Sequence, residues 1–168
     1  MPSDSKPRIG VSACLLGEPV RYDGASKPHA WILGELAQRA ELVPLCPETG
    51  AGLPVPRPPV QLVRLDGAIR ARGVEDPEWD VTDRLLAWNR KAEPLLASLD
   101  ALILKSRSPS CGLGSVPLFS PGGEERDRVS GLFAAFVQRA YPALTVVEES
   151  GLEDEAARAA FLRRLGLR

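Results

Sequence analysis

Ala101-Leu102-Ile103-Leu104 (ALIL) is the most hydrophobic strand candidate in the chain, and residues 106–115 (SRSPSCGLGS) follow it as a loop of small and turn-forming residues. Four consecutive apolar residues bounded by turn signals predict a strand buried on both faces, the environment a parallel sheet provides. Toward the N-terminus, residues 42–45 (LVPL) predict a strand that runs directly into Cys46, and residues 8–13 (RIGVSA) predict one that leads into Cys14. Toward the C-terminus, residues 144–148 predict a further strand.

Helical patterns lie between these strands. Residues 30–39 place Trp31, Leu33 and Leu36 on one face, Asp80 or Thr82 can cap a long helix running to about residue 98, and residues 128–140 and 153–165 are amphipathic. Residues 61–65 and 68–71, on either side of Asp66-Gly67, predict a third strand or an edge hairpin. Residues 47–60 (PETGAGLPVPRPPV) hold too many prolines and glycines for regular structure. The succession predicts one α/β domain over residues 1–168, with a mainly parallel, Rossmann-like sheet flanked by helices and a flexible N-terminus at residues 1–7. Ligands bind such sheets beyond the carboxyl ends of the strands. Cys14, Cys46 and Cys111, each just after a predicted strand, are therefore expected on one edge although they are remote in sequence.

Charge and composition narrow the function classes. A formal net charge of −1 over 168 residues gives no broad basic face for duplex nucleic acid and no polybasic helix for an anionic membrane. The opening residues MPSDSKPR lack the apolar stretch of a signal peptide, and no window approaches the roughly 18 apolar residues of a membrane span. A cytoplasmic protein that takes a small molecule is expected. Three cysteines in a chain this long do not make a disulfide framework, so the thiols are expected to stay reduced.

Thiolates are soft ligands that select zinc, copper(I) or iron–sulfur clusters. One cysteine alone reads equally well as a small buried hydrophobe, but three at equivalent loop positions argue against that. A zinc ion takes four ligands, usually with C-x-x-C pairs, which are absent here; His29, the sole histidine, would have to complete the set. A cubane on three cysteines would leave one iron without a protein ligand, an open Lewis-acid position. Spacing alone does not choose between them.

Residues 10–27 (GVSACLLGEPVRYDGASK), 42–59 (LVPLCPETGAGLPVPRPP) and 104–112 (LKSRSPSCG), with Asp80-Val81-Thr82 as a lesser block, resemble the signature blocks of the thiouracil desulfidase family. The resemblance implies a [4Fe–4S] cluster on Cys14, Cys46 and Cys111 whose fourth iron takes the sulfur of a thiolated pyrimidine. It implies non-redox conversion of C=S to C=O with release of sulfide. It also implies acid–base roles for Glu48 and Ser108, with Ser110 in the same block as the alternative to Ser108. Residues 113–128 (LGSVPLFSPGGEERDR) depart from the Tyr-Asp-Gly type of stretch seen in similar proteins, which leaves one pocket wall and the choice of base, nucleoside or nucleotide open.

Arg21, Tyr22 and Arg57 are candidate substrate contacts. Against this, Asp23-Gly24 marks an ordinary turn, and Arg57 would equally pair with an acidic neighbour. Trp31 and Trp88, at helical positions, read as core rather than as base-stacking platforms. A noncatalytic iron–sulfur or zinc sensor would use the same cysteines but gives no role to Glu48 and Ser108. An accessory domain binding a partner through its proline-rich loop would need no metal.

Overall fold

The computed structural model describes residues 6–167; of the N-terminus expected to be flexible, residues 1–5 lie outside the described residues. In chain order run β1 (Arg8–Ser12), α1 (Ala30–Gly34), β2 (Glu41–Leu45), α2 (Pro47–Gly50), β3 (Val60–Leu65), β4 (Ala68–Gly73), α3 (Thr82–Lys91) and α4 (Glu93–Ala97). Then follow β5 (Ala101–Leu104), β6 (Val116–Phe119), β7 (Glu125–Val129), α5 (Leu132–Ala140), β8 (Thr145–Glu148) and α6 (Glu155–Arg164).

A four-stranded sheet in the order β2-β1-β5-β8 forms the centre, and its pairings are parallel. Its middle strands carry apolar side chains to both faces, because helices cover both. On one face Ile9, Val11 and Ile103 pack against Trp31 and Ile32 of α1 and Phe161 of α6. On the other, Leu102 and Leu104 meet Leu96 of α4 and Phe133 and Val137 of α5. Gly10 lies at this second interface, where an added Cβ would come within 2.6 Å of Leu102 and 2.7 Å of Leu99. The mainly parallel sheet flanked by helices is the architecture the strand pattern predicts.

A second sheet, β4-β3-β6-β7, was not expected from the sequence beyond its β3–β4 hairpin. That hairpin turns at Asp66 and Gly67, both at positive φ (50° and 81°), the conformation an Asp-Gly pair accommodates. β6 joins β3 in parallel and pairs with β7 in antiparallel fashion. Leu62, Ala71, Val116 and Leu118 bury one face of this sheet against Val81 and Leu85.

The long helix expected over residues 82–98 is two helices, since Pro94 in the first turn of α4 has no amide hydrogen to continue the ladder. The 30–39 segment is likewise shorter, with α1 followed by a 3₁₀ turn over Leu36–Gln38. At the start of α3, Asp80 Oδ1 accepts the Thr82 amide at 2.9 Å and Oδ2 accepts from Arg70 Nε at 2.8 Å. Partial burial pushes the Asp80 carboxyl up, but the hydrogen bonds from Arg70 and Thr82 and the Arg70 charge outweigh it and hold the group below its ordinary range. Gly50 lets α2 lie against α3: a Cβ there would stand 2.1 Å from Trp88 Nε1. No helix among the described residues is long and apolar enough to cross a membrane.

Candidate active site

Cys14 sits in the 3₁₀ turn Ala13–Leu16 directly after β1, Cys46 stands between β2 and α2, and Cys111 lies in the loop after β5. All three are free thiols, and all three line one cavity of about 560 Å³ at the carboxyl ends of β1, β2 and β5. Parallel pairing of β1 with both β2 and β5 is what brings them to one edge. Cys14 and Cys111 are buried, and Cys46 is partly exposed.

The backbone around each thiol is tied down locally. The Cys14 carbonyl accepts the amides of Gly17 at 3.2 Å and Lys27 at 2.9 Å, which folds the 17–27 loop back over the site. Cys46 is the N-cap residue of α2, with Pro47 in the first turn where its missing amide hydrogen costs nothing. In the Cys111 loop the Ser108 hydroxyl accepts the amides of Ser110 at 3.2 Å and Cys111 at 3.1 Å. The Ser110 carbonyl accepts the amides of Phe133 at 2.9 Å and Ala134 at 3.1 Å, anchoring the loop on the first turn of α5.

Glu48, on α2, lines the same cavity. Its Oε1 receives Arg57 Nε at 2.9 Å in an ion pair whose side chains are 4% (Arg57) and 13% (Glu48) exposed. Its Oε2 receives the Ser110 hydroxyl at 3.4 Å. Arg57 Nη1 donates to the Pro54 carbonyl at 3.1 Å and Nη2 to the Val20 carbonyl at 3.0 Å, while its amide donates to the Tyr22 carbonyl at 2.7 Å. Arg57 therefore pairs with an acidic neighbour and staples the 20–22 loop to α2. Ser108 also lines the cavity, but its hydroxyl is the one that braces the loop, and the Ser110 hydroxyl is the one beside Glu48.

Arg21 and Tyr22 line the cavity as well, and the buried Arg21 Nε has no hydrogen-bond partner among the described residues. Asp23 accepts the Ala25 amide at 3.0 Å, so the Asp23-Gly24 turn exists beside the candidate contacts. Burial pushes the Cys14 thiol up, against the opposing charges of Arg21 and Lys105. Burial also pushes Cys111 up, only partly opposed by the neighbouring Ser12 hydroxyl. A metal centre that accepts thiolates would displace those protons.

The three thiols are soft donors, which suit zinc, copper(I) or an iron–sulfur cluster. Among the described residues no group of three or more His, Cys, Asp or Glu is arranged to hold a single ion. His29 is occupied elsewhere: its Nδ1 accepts the Ile32 amide at 3.4 Å at the start of α1, and Nε2 faces Glu153 at 3.7 Å. Three soft donors spread around one cavity suit a multi-iron cluster, which spans more space than one tetrahedral ion. Sequence reasoning missed the residues that hold this loop from outside, Ser12, Glu148 and Glu149. Ser12 Oγ accepts the Lys105 amide at 2.9 Å and Glu149 Oε1 accepts the Ser106 amide at 2.6 Å, contacts between residues far apart in sequence that no local spacing marks.

The chain is 30% identical over 152 residues to the uncharacterized protein YbbK of Bacillus subtilis (strain 168), covering 87% of this chain and 98% of that one. Among solved structures, the [4Fe-4S]-dependent thiouracil desulfidase TudS superposes with a TM-score of 0.72 at 32% identity, covering 93% of this chain and 99% of that one. The family model described as 2-thiouracil desulfurase matches residues 9–149, a span that contains all three cysteines, Glu48 and both loop serines, and the chain belongs to that family.

Proposed function

We propose that this chain is a [4Fe–4S]-dependent desulfidase that converts the thiocarbonyl of a thiolated pyrimidine, as base, nucleoside or nucleotide, to the carbonyl by hydrolysis. The balance is one C=S and one water consumed, one C=O and one hydrogen sulfide formed, with no net electron transfer. Cys14, Cys46 and Cys111 would hold the cluster. When bound, it supplies an open Lewis-acid position for the soft sulfur of the substrate, which makes the adjoining ring carbon electrophilic. The observation that carries this reading is that three free thiols and the Glu48 carboxylate line one cavity.

In this proposal Glu48 takes the proton from the attacking water, and a loop serine returns a proton to the ring or to the departing sulfur. Ser110 is in hydrogen-bond reach of Glu48 and suits the relay; Ser108, the other candidate, reaches it through the loop it braces. Arg57 fixes one Glu48 oxygen and leaves the other toward Ser110. Arg21, whose buried Nε has no hydrogen-bond partner among the described residues, and Tyr22 are assigned to the substrate ring. Three unpaired thiols suit a reducing compartment, consistent with a cytoplasmic enzyme.

The test is anaerobic reconstitution followed by iron analysis and sulfide release across 2-thiouracil, 4-thiouracil and their nucleosides and monophosphates. Four irons per chain with sulfide release is expected, and Glu48→Gln should keep the iron while turnover falls on the order of 10²- to 10⁴-fold. A four-iron protein that releases no sulfide from any of them would overturn the enzymatic reading in favour of a sensor.

A further inference from the structure

Glu148 and Glu149 stand at the carboxyl end of β8, beside β5, and their carboxylates reach into the loop that carries Cys111. Glu149 holds the loop's entrance: Oε1 accepts the Ser106 amide at 2.6 Å, Oε2 accepts the Ser106 hydroxyl at 3.0 Å, and the Lys105 ammonium lies at 3.2 Å. Glu148 holds its exit, where Oε2 accepts both the Leu113 amide at 2.7 Å and the Ser115 hydroxyl. The Ser115 oxygen in turn accepts the amide of Arg107 at 2.8 Å.

Arg107 is where that chain of contacts matters. It stands at φ 65°, in the left-handed region, and the other described non-glycine residue there, Asp66, is in a hairpin turn that requires it. Arginine has neither glycine's freedom nor the short polar side chain that eases Asp or Asn into this region, and it disfavours the conformation about tenfold or more in population. The next residue is Ser108, whose hydroxyl caps the amides of Ser110 and Cys111. The backbone angle at Arg107 therefore sets the direction in which the 108–111 turn presents its serines and its thiol. Strained backbone persists where surrounding contacts over-determine it, and here the contact on the strained residue's own amide leads to Glu148.

We propose that Glu148, acting through Ser115, is a positioning residue that holds Arg107 in its left-handed conformation and so fixes the 108–111 turn for cluster ligation. Its consequence for the cluster rests on the function proposed above, while the positioning itself does not. A carboxylate that only stabilised the strand end would weaken the whole domain when removed. A positioning residue weakens the loop, and the defect is cured by making position 107 tolerant of positive φ.

The experiment uses the full chain, anaerobically reconstituted, with iron release to excess chelator as one readout and amide hydrogen exchange of the metal-free protein as the other. Glu148→Ala should speed iron release about tenfold or more and speed exchange at residues 107–113 while β1 and β5 stay protected. Adding Arg107→Gly to Glu148→Ala should restore most of the iron retention, because glycine populates positive φ freely. Adding Arg107→Ala, which removes the same side chain but keeps the penalty, should not restore it. Equal behaviour of the Gly and Ala double variants, or loop exchange unchanged in Glu148→Ala, would overturn the proposal. Should Glu148→Ala fail to fold, the milder Ser115→Ala, with and without Arg107→Gly, carries the same comparison. Wild-type protein that takes up no iron would refute the cluster reading alone, since the exchange measurement still decides the positioning.

Discussion

Removing the Arg57 guanidinium is expected to be among the most damaging single changes near the site, because of what it leaves behind. Its side chain is 4% exposed and its partner Glu48 is 13% exposed, so Arg57→Met strands a carboxylate in a poorly solvated place. Breaking a buried pair from one side costs about 3–5 kcal/mol, whereas an exposed pair would cost about 1 kcal/mol or less. The carbonyls of Pro54 and Val20 also lose their donors, at roughly 1 kcal/mol each where water does not replace them. Glu48→Gln alone keeps the shape and a neutral acceptor, and should cost about 2 kcal/mol. In the double variant the stranded charge no longer exists, so the total should fall below the sum by about 2–3 kcal/mol. Urea unfolding of the metal-free protein followed by circular dichroism measures all four corners of this cycle. Additivity within about 0.5 kcal/mol, or an Arg57→Met cost under about 1 kcal/mol, would refute the buried-pair reasoning.

The two loop serines should separate. Ser108→Ala removes the acceptor of two amides, so it should lower stability by about 1–2 kcal/mol and lose iron, while Ser110→Ala should keep its iron and lose turnover; iron per chain and sulfide release on the same samples check this. Asp80 gives a pH signature. Its carboxyl titrates lower folded than unfolded, so its contribution is fully present above the unfolded value of about 4 and is lost as pH falls through the folded value. Asp80→Asn should therefore cost about 1 kcal/mol at pH 7, and its deficit relative to wild type should close in unfolding measurements below about pH 4.

The central sheet was legible because burial on both faces of its middle strands forces an apolar run, which residues 101–104 and much of 8–13 carry, while the edge strands at 42–45 and 144–148 are apolar enough to read although only partly buried. β6 and β7 were not, since β6 contains Pro117 and β7 reads ERDRV, with its first four residues exposed. A solvent-facing edge strand owes its conformation to its partner rather than to its own side chains. The short α2 was hidden in a run that composition marks as irregular, although Pro47 is acceptable at a helix start. Cys14, Cys46 and Cys111 could be placed on one edge because each follows a strand whose direction the topology sets. The pairing of Glu48 with Arg57 crosses a Gly- and Pro-rich loop whose path no pattern predicts. The reach of Glu148 and Glu149 into the Cys111 loop is invisible for a similar reason: β5 and β8 become neighbours only in the folded sheet.

The order β2-β1-β5-β8 also sets when the proposed ligand set is first complete during synthesis of the chain. Cys14 and Cys46 are brought together by β1 and β2, which are close in sequence, but Cys111 arrives only after β5 has docked along the far side of β1. Contacts of such long sequence separation form late, after the entropy of closing the intervening loop has been overcome. A nascent chain emerging as far as α4 therefore offers two thiols and no third, so the proposed cluster would have to wait for a nearly complete polypeptide.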